Sequence, residues 1–410
     1  MKNSGIEWIG EIPDSWEYFR LKDYYLFEKG KNAAIYTQDY IGLNKGDYPV
    51  YSGQTENEGV MGMIDTFDYD IDECLFTTTV GAKVMTPKIL RGKFSLSQNC
   101  LIMKKTKECN NSYIYYYLFP LFSYAKSLIP TYMQPSLRVA DLNLYGFYVP
   151  DCETQYKIAK CLNEKCGKID ELIANQEKQI EKLKEYKQSV ITEAVTKGLD
   201  KSAPLKDSGI EWIGKIPENW EVSNLGNLLK EHKQLNDEVN SNALQFKFGT
   251  IIRKKEQNLT ADVVEMLSKY NVVEPNIIMV NGLNLAFDFI TQRVAIVEEE
   301  GVITSTYLAM KPTSLANPKY FTYLLKSYDY QKALHAMGRG LRSVLSYETF
   351  RKEKVLLPKF EDQQQIVDYL DEKCDSIDRL IEIKQEKIEK LNEYKKSLIY
   401  EYVTGKKEVV

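Results

Sequence analysis

The sequence predicts a mixed α/β (α+β) protein laid out as an internal pseudo-two-fold duplication. Two globular α/β units are each followed by a long helix, and the two helices bury each other as an intramolecular coiled coil. Three observations lead there. Residues 4–17, SGIEWIGEIPDSWE, return at 208–221 as SGIEWIGKIPENWE, with 11 of 14 positions identical. Pro150–Thr196 aligns with Pro358–Thr404 at 24 identities in 47. Between these repeats, β-rich runs bounded by turn residues precede one helical pattern in each copy.

The elements follow in chain order. Each opening motif holds two tryptophans, Trp8 and Trp16, then Trp212 and Trp220. Duplicated tryptophans read as packing anchors, with partner docking as the other reading. In the first middle, YPVYSGQ, CLFTTTV, NCLIMKK and GFYVP read as strands, and NNSYIYYYLFPLFSYAKSL as a helix whose tyrosines pack in a core. In the second, IIMVNG, RVAIVEE, TYLAMKP and KVLLP are strands, and NPKYFTYLLKSYDYQKALHAM a helix. The interiors of the middles do not align. Their ends echo, SLR at Ser136–Arg138 against GLR at Gly340–Arg342. A kept frame with a changed centre suggests one scaffold carrying two different surfaces.

Residues 156–195 hold no proline and a single glycine, Gly167. Heptad spacing puts Ile169, Ile173, Ile180, Leu183 and Val190 on one seam, and Ile377, Ile381, Ile388, Leu391 and Leu398 on its counterpart. Gln176, Lys384, Lys187 and Lys395 interrupt the seams; polar seam residues fix register at some cost in stability. LDKSAPLKDSG (199–209) reads as a polar linker. The expected division is 1–150 as the first globular domain, 151–198 as the first helical spacer and 199–207 as linker. A second domain at 208–358, a second spacer at 359–405 and a tail at 406–410 follow.

Composition limits the function. With 410 residues, 43% hydrophobic and 27% charged, the chain is globular. A net charge of −4 excludes a polycation but not a local basic surface. Two histidines make a histidine-rich metal site improbable, and no metal is expected. Seven cysteines without a CxxC pair, no signal peptide and no apolar run of membrane-spanning length point to a cytoplasmic protein.

Charge is uneven along the chain. From Cys74 to Lys107 there are seven basic residues, including Lys83, Lys88, Arg91 and Lys93, and no acid, whereas 65–73 holds five acids. In the second middle, Lys332, Arg339, Arg342, Arg351, Lys352 and Lys354 cluster within 331–354. Basic residues suit phosphates, and amide and hydroxyl side chains suit base edges. The candidate DNA-binding set is therefore Ser52, Gln54, Asn57, Lys83, Arg91, Lys93, Gln98, Asn99, Gln134, Ser136 and Arg138 in the first copy. In the second it is Arg253, Lys254, Asn281, Asn284, Arg293, Ser305, Arg339, Arg342 and Ser343. A solvated charged face explains any one of them equally well; the case rests on two clusters in duplicate positions.

Catalytic motifs are missing. There is no GxxxxGK[ST] loop and no glycine-rich cofactor fingerprint. Asn317-Pro318-Lys319-Tyr320 looks like part of an adenine methyltransferase motif, but a helix N-cap with proline at N1 explains it. The acids near Glu382 lie on the long helix. No catalytic residue is expected.

The paired SGIEWIG-x-IP-x-x-WE motifs, the LP/VP-x-x-E-x-Q-x-x-I helix starts, GLRSVLSYETF and the doubled helices resemble the specificity (S) subunit of type I restriction–modification enzymes. The resemblance covers nearly the whole chain. It implies two target recognition domains, each gripping half of a split double-stranded DNA target, and an antiparallel helix pair that separates them as a ruler. It further implies two methyltransferase (M) and two restriction/translocase (R) subunits as partners. S-adenosylmethionine, ATP and Mg²⁺ would belong to those partners. Two rival readings are a fused DNA methyltransferase or nuclease, and a coiled-coil tether whose heads bind protein.

Overall fold

In the computed structural model the chain is described at all residues except 55–56, 82, 238–239, 256–259, 290–291, 339, 341–342 and 410. It packs as two compact units, Met1–Glu177 with Gln385–Val410, and Lys178–Lys384. This division cuts through both long helices, Cys152–Lys197 and Phe360–Val403, instead of falling at the repeat boundaries. The cause is burial. The core of unit 1 contains Leu398, Ile399, Tyr402 and Val403 from the end of the second long helix, beside Ile158, Leu162 and Cys166 from the first. The core of unit 2 contains Val190, Ile191, Ala194 and Val195 from the end of the first, beside Ile366, Val367 and Leu370 from the second. Each globular part is thus completed by the last turns of the other copy's helix.

Unit 1 carries a six-stranded sheet. Its strands are β1 (Tyr25–Lys29), β2 (Lys45–Tyr51), β3 (Val60–Ile64), β4 (Tyr69–Thr78), β5 (Pro87–Leu96) and β6 (Cys100–Lys105), in the order β1-β6-β4-β5-β2-β3. The sheet must coil. Phe94 pairs with Tyr69 at one end of β4 and Cys100 with Thr78 at the other. A flat strand would separate those ends by about 30 Å, yet Leu96 and Cys100 are joined by a link that reaches at most about 15 Å. The register shift between Ile71 and Cys74 supplies extra twist. Helix α1 (Asn111–Ser127) packs its Tyr113, Tyr117 and Phe122 into the core. Its tyrosine face is core packing.

Unit 2 has a smaller sheet, ordered β7 (Leu229–Glu231), β10 (Leu308–Pro312), β8 (Ile278–Val280), β9 (Val294–Ile296). Helix α2 (Pro318–Tyr330) covers it, with Tyr320, Phe321, Leu324 and Tyr328 fully buried. Asn317 caps this helix by accepting the N–H groups of Lys319 (3.0 Å) and Tyr320 (3.2 Å), so the Asn-Pro-Lys-Tyr segment has a structural task.

The duplication is exact in register where it matters. Glu17–Arg20 pairs antiparallel with Gly146–Val149, and Glu221–Asn224 with Lys354–Leu357. Lys2–Asn3 pairs with Glu11–Ile12, and Leu205–Asp207 with Lys215–Pro217. The expected linker therefore ends in a strand, because its last residues complete the second opening motif. The tail is not free either: Lys406 donates to the Glu11 carbonyl at 2.8 Å and Val409 packs on the unit 1 core.

All ten seam residues are buried or half-buried. Ile169, Ile173, Ile388, Leu391 and Leu398 belong to unit 1, and Ile180, Leu183, Val190, Ile377 and Ile381 to unit 2. In unit 1 the seam lysine Lys395 pairs with Asp170 at 2.7 Å, and Lys165 reaches the Tyr402 hydroxyl at 2.6 Å. In unit 2, Lys187 pairs with Asp378 at 2.6 Å. Within each unit these pairs match the start of one helix with the end of the other, so the helices run antiparallel there. Lys187 and Lys395 meet carboxylates and Lys384 donates to the Gln179 side-chain oxygen, which explains how charged residues stand on the seam.

Candidate nucleic-acid interface

In unit 1 main-chain hydrogen bonds gather four separate loops. Leu137 N–H donates to the Thr79 carbonyl (2.8 Å), and Val80 and Ser136 form an antiparallel bridge. Thr79 N–H donates to Asn99 (2.8 Å), Ser97 N–H to Tyr51 (2.9 Å), and Ser52 N–H to Gly59 (2.8 Å). Ser52, Gln54, Asn57, Lys83, Gln98, Asn99 and Ser136 are therefore brought to one end of the coiled sheet, with Gln134 and Arg138 flanking. The turns are fixed from within. Asn57 and Asn99 take positive φ, and the Lys83 carbonyl accepts from the hydroxyls of Thr78 and Thr86. Lys88 joins the group by donating to the Glu58 carbonyl, and burial pushes its pKa below the ordinary lysine value.

Arg91 and Lys93 stand elsewhere, on β5. The charge segregation along the chain does not persist in space there, because the β4–β5 hairpin folds the basic strand onto the acidic one. Lys93 lies opposite Asp70, and Arg91 pairs with Glu73. Lys93 also covers the rings of Phe67 (4.7 Å) and Tyr48 (5.7 Å).

In unit 2 the equivalent gathering joins the segment after β8 to the strap 343–345. Leu345 N–H donates to the Gly282 carbonyl (2.8 Å), Leu285 N–H to Ser343 (3.0 Å), and Asn281 N–H to Arg293 (2.8 Å). Asn281, Asn284 and Ser343 meet here, the latter two at positive φ. Arg253, Lys254 and Ser305 stand apart. Arg253 donates to Asn242 (2.6 Å), Lys254 lies 5.5 Å from the Tyr270 ring, and Ser305 occupies the turn before β10. Arg339 and Arg342 lie outside the described residues.

Two sequence expectations need correction. Arg293 is not a surface cation. It is fully buried, and its guanidinium donates to the carbonyls of Asn281 (3.1 Å), Leu283 (2.7 Å) and Asp288 (2.7 Å). A buried cation must spend its donors on acceptors at hand. The SLR/GLR echo is also out of register. Leu137 and Leu345 make the equivalent bonds to Thr79 and Gly282, and both straps lead into the strands that pair with the opening motifs. The structural counterpart of Arg138 is thus Ser346. Both are N-caps: Asp141 accepts from the Arg138 N–H, and Ser346 accepts from the Thr349 N–H.

Sequence reasoning missed exposed phenylalanines in unit 2, Phe248, Phe287 and Phe289. The available signal was an apolar residue in a glycine- or asparagine-bearing turn with neither helical nor strand periodicity. No group of three or more His, Cys, Asp or Glu able to hold a metal occurs among the described residues, and no helix there is long and apolar enough to cross a membrane.

The type I restriction modification DNA specificity domain model matches residues 13–183 and 217–393. The chain is 25% identical to the type I restriction enzyme MjaVIII specificity subunit of Methanocaldococcus jannaschii, over 96% of this chain and 93% of that one. It is 33% identical over 150 residues to the type I restriction enzyme MpnII specificity subunit of Mycoplasma pneumoniae, covering 36% of this chain and 42% of that one. A solved chain from work on complex assembly and conformational transition of the type I R-M system superimposes with a TM-score of 0.65 at 13% identity, covering 96% of this chain and 98% of that chain. At that identity the likeness speaks for the fold.

Proposed function

The chain belongs to the type I restriction–modification DNA specificity family, and we propose that it reads an asymmetric, bipartite double-stranded target, one half-site with each unit. Specificity subunits recognise DNA without catalysing; the methyl transfer and cleavage lie on partner subunits. Neither a fused enzyme nor a protein-binding tether is supported by these relatives.

The observation that carries the asymmetry is a shared frame with unlike ends. The straps at Leu137 and Leu345 make the same bond to the loop after the central strand. Around them unit 1 presents amides, hydroxyls and lysines from four loops, while unit 2 presents Asn281, Asn284, Ser343 and exposed phenylalanines. Different donor and acceptor patterns select different base sequences.

The chain is further proposed to hold two methyltransferase and two restriction/translocase subunits in the cytoplasm. S-adenosylmethionine, ATP and Mg²⁺ are assigned to those partners. The paired helices are proposed to set the gap between half-sites. The test is to express the chain with its methyltransferase subunit in a host lacking DNA methylation and to map methylated bases. The expected result is one motif of two unlike halves at a fixed gap; a palindromic motif refutes the asymmetry.

A further inference from the structure

Phe287 and Phe289 are 73% and 53% exposed, on the segment between β8 and β9. Exposed aromatic side chains on an otherwise anchored loop call for a partner. The anchoring is unusual. Three carbonyls of this one segment accept from the buried Arg293 guanidinium, whose Nη2 also lies 3.7 Å from the Asp288 carboxylate. Behind the loop, the Phe289 ring stacks on His335 at 4.9 Å and 9°, and His335 Nε2 lies 3.1 Å from the Asp288 carbonyl. Phe289 is thereby backed by a second ring, and Phe287 is left projecting.

The electrostatics around the loop point to an anion. Lys332 Nζ donates to the Phe289 carbonyl at 2.6 Å. Phe248, 71% exposed, has Lys247 5.7 Å from its ring, on a turn whose Gly249 abuts Gln292. The acid of the segment, Asp288, faces Arg293. Aromatic rings flanked by cations, with the local acid, half-exposed Asp288, offset by the Arg293 guanidinium 3.7 Å away, match a surface that offers apolar base edges between phosphates. A purely apolar protein groove would need the phenylalanines but not the lysines.

We propose that Phe287, two residues before the His335-backed Phe289, is an apolar DNA-contacting element of the second unit, and that Arg293 is the positioning residue that holds its loop. This rests on the DNA-reading function proposed above. The contact is with a base pair, either a thymine methyl group in the major groove or an opened base step.

The test uses the full chain assembled with its methyltransferase subunits and a random-sequence duplex library. The enriched duplex is then titrated at several salt concentrations. Phe287→Ala is expected to bind it roughly 5- to 150-fold more weakly, the range that aromatic–base contacts give on truncation. The slope of log K against log salt stays unchanged, whereas Lys332→Ala lowers it by about one. Replacing thymine by uracil brings wild type to the Phe287→Ala level if the methyl group is the contact; a rise in 2-aminopurine fluorescence marks an opened step. Either result supports the proposal. Arg293→Met also releases Asn281 and Leu283, so it weakens binding by itself, but combined with Phe287→Ala it should cost less than the sum of the two single losses, since both act through one loop; fully additive losses overturn the positioning role. Phe287→Ala that binds the same motif equally well overturns the proposal. So does loss of methyltransferase assembly by that variant, which would make the loop a protein-docking site. A wild-type assembly that enriches no motif overturns the DNA-reading function, and this inference with it.

Discussion

Replacing Gln363 by leucine should destabilise unit 2 by about 3–6 kcal/mol. Gln363 is fully buried at the start of the second long helix. Its Oε1 accepts the N–H of Asn317 at 2.8 Å, and its Nε2 donates to the carbonyls of Leu315 and Pro358, both at 3.0 Å. Leucine fills a similar volume but offers neither donor nor acceptor. Three main-chain groups would then stay buried and unpaired, at roughly 1–3 kcal/mol each. A small shift of one strand end recovers part of that sum. Gln155 is the counterpart in unit 1 and a built-in control. It accepts from Asn110 N–H (3.0 Å) and donates to the Pro150 carbonyl (2.9 Å), two bonds instead of three. Gln155→Leu should therefore cost about 2–4 kcal/mol, in the other unit. Urea unfolding followed by tryptophan fluorescence measures the shifts, and hydrogen exchange locates which unit opens. An unshifted midpoint for Gln363→Leu, or a larger loss for Gln155→Leu, would refute the reasoning.

Other outcomes follow from the same geometry. Gly405 and Gly198 end the two long helices at φ +69° and +75°. A Cβ at Gly405 would lie 2.4 Å from Pro13 Cδ and 3.1 Å from Trp16 Cζ2, whereas one at Gly198 meets Trp220 Cζ2 at 3.3 Å. Gly405→Ala should thus cost about 2–4 kcal/mol and Gly198→Ala about 1–2 kcal/mol, measured by thermal melting. Burial holds the His335 pKa below its ordinary 6.5. The unfolded chain then takes up the proton first on acidification, so stability falls as pH drops below 6.5. His335→Gln should flatten that slope relative to wild type; equal pH profiles would exclude His335 as its source. Deleting 176–182 together with 384–390 removes one heptad, about 10 Å of helix, from each spacer while keeping the seam register. The methylated motif should then carry a gap shorter by about 3 bp, or methylation should cease because three base pairs also turn the half-site by about 100°. Full methylation at the original gap would show that the helices do not set it.

The repeat and the seam were legible in the sequence because both rest on local pattern. Identical opening motifs must fold alike, and a seven-residue apolar period forces a buried stripe whatever covers it. The family was legible for the same reason, since its motifs lie in the repeated frame. What completes each core was not. Val195 and Val403 are apolar helix residues in the sequence, and nothing local tells that each closes the globular part of the other copy. The interface was least legible. Arg293 and Arg91 look like any basic residue, but one is buried under its own loop and the other paired across a hairpin. Charge along a chain shows how many cations exist. Where they point depends on strand pairing and on which main-chain acceptors come within reach, and only the tertiary fold decides those.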